Sequence, residues 1–307
     1  MGILDGKVAI VTGAGLGLGR IEALALAAEG ASVVVNDLGT GLDGEGSSED
    51  AAHAVVKEIE AAGGKAVASF GDVSNWEDAR RIVRSAVDAF GDMNILMNNA
   101  GIQRDGMIVK MTEDQFDSVI RVHVKGHFAM IKHTMDYWRE KSKAEGGAPL
   151  YGRLISTASD SFMMGNLGQP NYAAAKAAIA HMTLSAAREC QRFGATANTI
   201  LPRARTRMTM SGVWADMFAE PTDGSFDVFA PEHIGPLVAW IASPHSQNVS
   251  GQLFQLWGKH IRVYAPPEPQ LDHENDDPWT VDNLQNVLGA FFAEKQPIED
   301  GFALPMA

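Results

Sequence analysis

A strand and a helix joined by four closely spaced glycines constrain the fold of this chain more than any other feature. Residues 7–12 form a short β-branched run, and residues 19–29 are rich in Ala and Leu at helical spacing. Four glycines at alternate positions lie between them: Gly13, Gly15, Gly17 and Gly19. Such a pattern predicts a strand, a tight glycine turn and a helix, which is the building unit of parallel α/β sheets.

The same alternation of strand and helix continues along the chain. Further apolar strands are predicted at 31–37, 66–70, 93–97, 152–157, 195–201 and 253–256. The helices between them are predicted at 49–62, 75–90, 112–135, 171–193 and 231–242, the third opened by a capping box of Thr112 and Gln115. Near-continuous apolar strands alternating with helices predict a doubly wound parallel α/β sheet of the Rossmann type.

One domain and one extension account for the whole length. Residues 1–260 contain no internal repeat or linker and are predicted to form a single domain, with a substrate lid at 203–230. Residues 261–307 form a C-terminal arm, with a Pro-rich stretch, an acidic run and one amphipathic helix at 280–294. We expect this arm to dock on the core or on a neighbouring subunit.

Composition excludes several classes of function. The chain has 25 Lys and Arg against 38 Asp and Glu, a formal charge of −13, which repels the phosphates of nucleic acids. No apolar stretch approaches the roughly 20 residues that a membrane span needs, and no signal-peptide pattern is present. A single cysteine, Cys190, excludes an internal disulfide framework and a multi-cysteine metal site. We expect a cytoplasmic protein without a metal.

The glycine turn and the end of the second strand predict a dinucleotide site. Glycines between a strand and a helix let the backbone approach a pyrophosphate at the helix N-terminus; an ordinary turn would need one or two of them, not four. Asp37 ends the second strand, where a carboxylate accepts hydrogen bonds from a ribose 2′-hydroxyl and repels a 2′-phosphate. No Arg or Lys lies between residues 21 and 56, so NAD is favoured over NADP. The alternative is that Asp37 is only a turn residue before Gly39.

Three further side chains suggest proton transfer at an alcohol. Tyr172 and Lys176 lie four residues apart in a predicted helix, so they share one face, and an ammonium beside a phenol lowers its pKa. Ser159 follows a predicted strand that ends at the same edge of the sheet. Beside a nicotinamide, such a trio suits proton and hydride transfer at an alcohol carbon. The alternative for Tyr172 and Lys176 is an exposed helix pair.

With these residues the chain resembles the short-chain dehydrogenases/reductases over about residues 5–258. The resemblance also includes Asp72-Val73 and the segment 98–101, Asn-Asn-Ala-Gly. It implies that Tyr172 is the general acid/base, that Lys176 lowers the pKa of Tyr172 and binds the nicotinamide ribose, and that Ser159 orients the substrate oxygen. The cofactor residues it implies are Gly13, Gly15, Gly17, Leu18, Gly19, Asp37, Asp72, Val73, Asn99, Ala100, Gly101, Tyr172, Lys176 and Thr206. A homodimer or homotetramer is also implied.

Two positions depart from the family pattern. The family has an asparagine that supports a proton-relay water where this chain has His123, so His123 is either a catalytic relay residue or a packed histidine. The usual Pro-Gly after the sixth strand is Pro202-Arg203, with one residue fewer before Thr206. A contact from Thr206 to the nicotinamide carboxamide therefore depends on the structure of this loop.

Short segments narrow the resemblance to a subgroup. Residues 35–39, 121–124, 165–169 and 207–209 resemble the (3R)-hydroxyacyl-CoA dehydrogenase domains of peroxisomal multifunctional enzymes, also called 17β-hydroxysteroid dehydrogenases. We expect NAD-dependent oxidation of a secondary alcohol on a bulky apolar small molecule, most simply a 3-hydroxyacyl-CoA, contacted by Ser159, Met208, Trp214 and Met217. Three arginines either hold the carrier phosphates or are solvated charges of the lid: Arg203, Arg205 and Arg207. The alternatives are a dehydrogenase of free hydroxysteroids, an NADP-dependent ketoreductase, and a non-enzymatic NAD-binding regulator, which the Tyr172/Lys176 pair disfavours.

Overall fold

One twisted sheet of eight strands organises the protein. The computed structural model describes residues 2–211 and 215–298. The strand order is β3-β2-β1-β4-β5-β6-β7-β8, parallel except for the antiparallel pair β7 and β8. The strands are β1 Val8–Thr12, β2 Ser32–Asn36, β3 Lys65–Ser69, β4 Ile95–Asn98, β5 Arg153–Thr157, β6 Thr196–Pro202, β7 Leu253–Trp257 and β8 His260–Val263. The predicted doubly wound parallel fold is confirmed.

Helices cover both faces of the sheet. In chain order they are α1 Gly17–Ala28, α2 Asp50–Ala61, α3 Trp76–Phe90, α4 Glu113–Val119, α5 Gly126–Ala144, α6 Ser161–Met164, α7 Pro170–Cys190, α8 Arg207–Met210, α9 Gly235–Ala242 and α10 Val281–Phe292. A π-helical segment, Ile120–Lys125, joins α4 to α5. Short 3-10 turns lie at Gln191–Phe193, Ala215–Phe218, Pro231–Ile234 and Pro244–Ser246.

Two apolar cores follow from the alternation of side chains along the strands. Ala9 and Val11 of β1 face one core with α1, α2 and α9, whereas Val8 and Ile10 face the other with α3, α5 and α7. The long Trp138 of α5 is fully buried, and its indole nitrogen donates to the carbonyl of Met93 (2.9 Å). Burial on both faces explains why the strands are apolar throughout.

Several boundaries differ from the sequence prediction. The helix predicted at 112–135 is three consecutive segments that reach Ala144, and the capping box of Thr112 and Gln115 opens it as predicted. The first part of the predicted 231–242 helix is a 3-10 turn. Strand β8 was not predicted, because its alternation of polar and apolar residues, His-Ile-Arg-Val, spans only four residues. It extends the sheet beyond residue 260, where the domain was predicted to end.

The C-terminal arm contains the predicted helix. Helix α10 begins after a capping box of Thr280 and Asn283, and none of its residues is buried. Its apolar side chains include Val281, which is 83% exposed, and Phe292, which is 57% exposed. Docking of the arm on the core or on a neighbouring subunit stays a prediction.

The strand order creates a crevice at one edge of the sheet. From β1 the chain proceeds outwards to β2 and β3, and then returns to place β4 on the other side of β1. In open α/β sheets a ligand binds outside the carboxyl ends of the strands at this switch point. The predicted site residues follow β1, β2, β4, β5 and β6 at this edge.

Candidate active site

The hydroxyl of Thr12 joins the glycine turn to the end of β4. Its oxygen accepts hydrogen bonds from the peptide nitrogens of Asn99 (2.9 Å) and Ala100 (3.1 Å). The side-chain amide of Asn99 donates in return to the carbonyl oxygens of Thr12 (3.2 Å) and Gly13 (3.4 Å). The two loops on either side of the switch point are therefore held as one unit.

Close contacts with backbone or side-chain atoms require glycine at three positions of the turn. A Cβ atom on Gly13 would lie 2.8 Å from Ala100 Cα, and one on Gly19 would lie 2.1 Å from the carbonyl oxygen of Gly13. A Cβ on Gly15 would lie 2.8 Å from the carboxylate of Asp37. Gly17 has no such neighbour, but its φ of +56° lies in the left-handed region that favours glycine. The turn thus presents bare backbone to the crevice.

Asp37 lies against this turn at the end of β2. One carboxylate oxygen accepts from the nitrogen of Gly15 (2.7 Å) and the other from the nitrogen of Gly39 (2.6 Å). The second bond is the turn contact that sequence reasoning considered as the alternative role. The first bond fixes the carboxylate beside the glycine turn. Asp37 therefore makes the turn contact with Gly39 and also lies against the glycines.

The loop between β2 and α2, residues 37–49, reaches across the crevice to the loop after β4. The carbonyl of Leu42 accepts from the nitrogen of Gln103 (2.9 Å). Arg104 donates to the carbonyl of Asp43 (2.8 Å) and pairs with Glu45 (3.1 Å). Four residues of the loop line the cavity below it: Thr40, Gly41, Leu42 and Gly44.

A cavity of about 370 Å³ runs from the glycine turn to the end of β5. Its volume is in the range of small-molecule sites. Most predicted cofactor residues line it, namely Gly13, Gly17, Leu18, Gly19, Asp37, Asp72, Val73, Asn99, Ala100, Gly101, Tyr172, Lys176 and Thr206. Gly15 does not line it, because that residue lies behind the wall against Asp37. Bare glycine backbone, a carboxylate and a buried lysine around one cavity fit a nicotinamide dinucleotide.

Ser159, Tyr172 and Lys176 meet at the other end of the cavity. The Lys176 ammonium lies 5.4 Å from the centre of the Tyr172 ring and donates to the carbonyl of Thr157 (2.7 Å). Burial raises the pKa of Tyr172 above its ordinary value, and the Ser159 hydroxyl opposes this rise. Burial lowers the pKa of Lys176 to about 7. In this arrangement the lysine hydrogen-bonds to the backbone, and the serine acts on the pKa of the phenol.

His123 is fully buried in the π-helical segment beside Tyr172. Its ring contacts the Tyr172 ring edge-on at 5.5 Å and stacks on His127 at 6.3 Å. Its Nε2 lies 2.8 Å from the carbonyl oxygen and 3.1 Å from the nitrogen of Ile102, so the Ile102 peptide holds either tautomer. Burial lowers the pKa of His123 to about 3. The ring is therefore neutral at physiological pH.

The lid contributes apolar side chains to the cavity. Met208 and Met217 line it, together with Met164 from α6, whereas Trp214 lies outside the described residues. The hydroxyl of Thr206 accepts from the nitrogen of Thr209 (3.2 Å) and begins α8. With one residue fewer before it, Thr206 still lines the cavity, but its hydroxyl is used in this cap.

Two of the three lid arginines have internal carboxylate partners, which corrects the expectation that all three hold phosphates. Arg203 pairs with Asp160 (2.5 Å), and Arg205 pairs with Asp227. Those partners are distant in sequence, so the sequence alone does not show that the arginines are paired. The exposed Arg207 lines both the cavity and a shallow depression that contains Asp37 and Asp50. The fold therefore brings an arginine close to Asp37 that the local sequence does not contain.

Comparison with known proteins identifies the family. Residues 7–214 match the short chain dehydrogenase family. The chain belongs to the short-chain dehydrogenases. It is 44% identical over 302 residues to the hydroxyacyl-CoA dehydrogenase ChsB1 of Mycobacterium tuberculosis. The match covers 96% of this chain and 91% of that protein. A short chain dehydrogenase from Mycobacterium avium has the same fold, with a TM-score of 0.83 and 44% identity over 96% of this chain and 98% of that one.

Larger enzymes contain a similar region. The peroxisomal multifunctional enzyme type 2 of Drosophila melanogaster is 37% identical over 285 residues, or 92% of this chain. The match spans 44% of the length of that enzyme. Short-chain dehydrogenases use nicotinamide cofactors, which agrees with the cavity of this member.

Two buried groups and one partly buried carboxylate near the site were missed by sequence reasoning. Glu22 of α1 and His127 of α5 are fully buried, and their side chains have no hydrogen-bond partner among the described residues. Asp160 joins Arg203 and the side-chain amide of Gln255 (2.7 Å). A charged or polar residue inside an otherwise apolar helix was the available signal for Glu22. No group of metal-ligating side chains and no helix long and apolar enough to cross a membrane occurs within the described ranges.

We predict that Gly101→Ala destabilises the fold. A Cβ at this position would lie 2.4 Å from Cε1 of His123, a ring held between Ile102, Tyr172 and His127. Because the ring has no room to move, overpacking should cost about 1–3 kcal/mol of unfolding free energy. Urea unfolding measures this cost. Gly106→Ala is the control, since its Cβ would meet only ordinary contacts at 3.7 Å. Equal stabilities of the two variants would contradict the prediction.

Proposed function

We propose that this short-chain dehydrogenase oxidises the hydroxyl of a 3-hydroxyacyl-CoA with NAD⁺. The observation that carries the proposal is that Ser159, Tyr172 and Lys176 line the same cavity as the glycine turn and Asp37. A relative that is similar over almost its full length is a hydroxyacyl-CoA dehydrogenase. The methionines of the lid add a wall that adapts to an apolar chain.

The proposed roles follow from the chemistry of each group. A nicotinamide bound in the cavity supplies the acceptor for the hydride from the carbinol carbon. Tyr172 removes the hydroxyl proton, and Ser159 holds the substrate oxygen by a hydrogen bond. Since burial raises the pKa of Tyr172, oxidation should become faster as the pH rises, when the phenol is more readily deprotonated. Lys176 supplies the positive charge that stabilises the phenolate.

In this proposal His123 acts as an uncharged residue. Its pKa of about 3 keeps it uncharged, so it can pass on a hydrogen bond without adding a titration near pH 6.5. The alternative of a packed histidine stays open. The cytoplasmic location and the homodimer or homotetramer also stay predictions.

Asp37 supports NAD as the cofactor. The carboxylate is fixed beside the glycine turn, and Asp50 shares the same depression. Arg207 lies at the edge of that depression and would attract a 2′-phosphate. Two carboxylates against one guanidinium leave the depression negative, and a phosphate is disfavoured there. An NADP-dependent ketoreductase is therefore the weaker candidate.

Arg207 supports a CoA thioester over a free hydroxysteroid. CoA carries phosphates that an arginine binds strongly, whereas a sterol has no such group. Arg207 is exposed and has no ion-pair partner among the described residues, unlike Arg203 and Arg205. It therefore offers its charge to a ligand at the edge of the cavity.

A substrate panel tests the reaction. We expect NADH formation with a 3-hydroxyacyl-CoA at a kcat/KM well above that with a free hydroxysteroid or a simple secondary alcohol. Tyr172→Phe should lower kcat by ~10²–10⁴-fold, because the acid/base is lost, while NAD binding is retained. Absorbance at the NADH band measures turnover, and calorimetry measures binding. No turnover of any alcohol by folded protein that binds NAD would favour the regulatory alternative.

Asp37→Asn tests the cofactor. The wild type should prefer NAD over NADP, and the neutral amide should reduce the ratio of their kcat/KM values tenfold or more, because repulsion of the 2′-phosphate is removed. Glu60→Gln, an exposed change on α2, is the control and should leave the ratio unchanged. Comparable kcat/KM with both cofactors in the wild type would refute the proposal of NAD.

Arg207→Gln tests the acyl carrier. We expect KM for a 3-hydroxyacyl-CoA to rise tenfold or more, and KM for the same acyl group on a pantetheine stub to stay unchanged, since only the full carrier has the phosphates. Added salt should weaken the wild-type preference for the full carrier. Arg84→Gln, on the exposed side of α3, is the matched control. If both thioesters suffer equally, or the Kd for NAD rises instead, Arg207 does not bind the carrier.

A further inference from the structure

A buried acid on α1, Glu22, interacts electrostatically with Lys176. Glu22 is on α1, whose other buried residues are Gly19, Ala23 and Leu26. Its side chain is fully buried, and neither carboxylate oxygen has a hydrogen-bond partner in the described part of the chain. A buried carboxyl without hydrogen bonds is costly, and an apolar residue would pack there without this cost. Its presence calls for a compensating charge.

Thr157, the last residue of β5, connects Glu22 with Lys176. The carbonyl of Thr157 accepts a hydrogen bond from the Lys176 ammonium (2.7 Å). Its hydroxyl acts on the Glu22 carboxyl without reaching hydrogen-bond geometry. Thr157 thus interacts with both groups: its backbone carbonyl with Lys176, and its hydroxyl with Glu22.

We propose that Glu22 is a positioning residue, which supplies the counter-charge for Lys176 and so keeps the lysine protonated next to Tyr172. The proposal rests on the roles of Lys176 and Tyr172 in the proposed function. Glu22 does not line the cavity, and it acts only through the lysine.

The electrostatics of the pair agree with this role. Burial raises the pKa of Glu22, and the Lys176 charge opposes the rise. Burial lowers the pKa of Lys176 to about 7, and the Glu22 charge opposes the fall. Each charge therefore opposes the effect of burial on the other group, and loss of the carboxylate would lower the pKa of the lysine further. A neutral lysine cannot stabilise a phenolate.

The other titratable groups around the pair cannot replace Glu22. His123 and His127 face Lys176 from the π-helical segment and α5, and burial lowers both of their pKa values, so they are neutral. The phenol of Tyr172 is protonated at neutral pH, because burial raises its pKa. On α1 and the elements packed against it, Arg20 pairs with Glu58, and the remaining charged side chains, Asp50, Lys57, Glu60 and Glu232, are exposed.

Glu22→Gln tests the proposal directly. With [¹³Cε]lysine in the full chain without added dinucleotide, NMR titration reports the pKa of Lys176, which is assigned by Lys176→Arg. We expect Glu22→Gln to lower this pKa by about one pH unit or more. The acid limb of kcat/KM for alcohol oxidation should move to higher pH, because Tyr172 then loses its proton less readily. Glu60→Gln is the control and should move neither quantity.

A second variant separates charge from packing. Glu22→Leu also removes the charge, but it leaves no buried polar group, so it keeps the test valid if the glutamine variant folds poorly. Both variants should move the lysine pKa and the acid limb alike. An unchanged lysine pKa in the two variants, whatever their melting temperatures, would overturn the role of Glu22. A lowered lysine pKa with an unmoved acid limb would support that role and instead contradict the action of Lys176 on Tyr172.

Discussion

The contact of Thr12 with the peptides after β4 is the constraint on which the rest of the site depends. A hydroxyl at the end of β1 accepts two peptide N–H bonds, from Asn99 and Ala100, and Asn99 returns a bond to the turn. These bonds set the width of the crevice at the switch point. Gly13 can lie against Ala100 only at this width, and the bare turn then faces the cavity. The packing of Gly101 on His123 continues the same wall towards Tyr172.

The charged groups around the catalytic end of the cavity are mostly buried. Lys176 is a buried cation whose effect reaches His123, His127 and Glu22. Both histidines are neutral, and the Glu22 carboxyl favours the charged form of the lysine. The lid arginines show the opposite arrangement, because Arg203 and Arg205 are paired before any ligand arrives. Charge available to a ligand is thereby limited to a few positions around the cavity.

Sequence reasoning recovered the fold because its signals are local. Apolar runs and helical spacing gave the parallel strands and their helices, and glycines after β1 gave the crevice. Strand β8 was missed, since an alternation of only four residues is a weak signal and the strand is defined by its antiparallel pairing with β7. The partners Asp160 and Asp227, like the approach of Arg207 to Asp37, depend on contacts between distant segments. Glu22 was missed for the same reason, as Lys176 is far from it in sequence.

The loop at residues 37–49 has a consequence for the timing of a catalytic cycle. It bridges the crevice through Leu42 and Gln103, and through Arg104 with Asp43 and Glu45, while its inner side lines the cavity. A dinucleotide below it could exchange with solvent only after these contacts break. Opening of such loops takes microseconds to milliseconds and often limits turnover in enzymes. The substrate would meet the lid on the far side, beside Met208 and Met217. Because different segments cover the dinucleotide and the substrate, each ligand would enter and leave through its own opening.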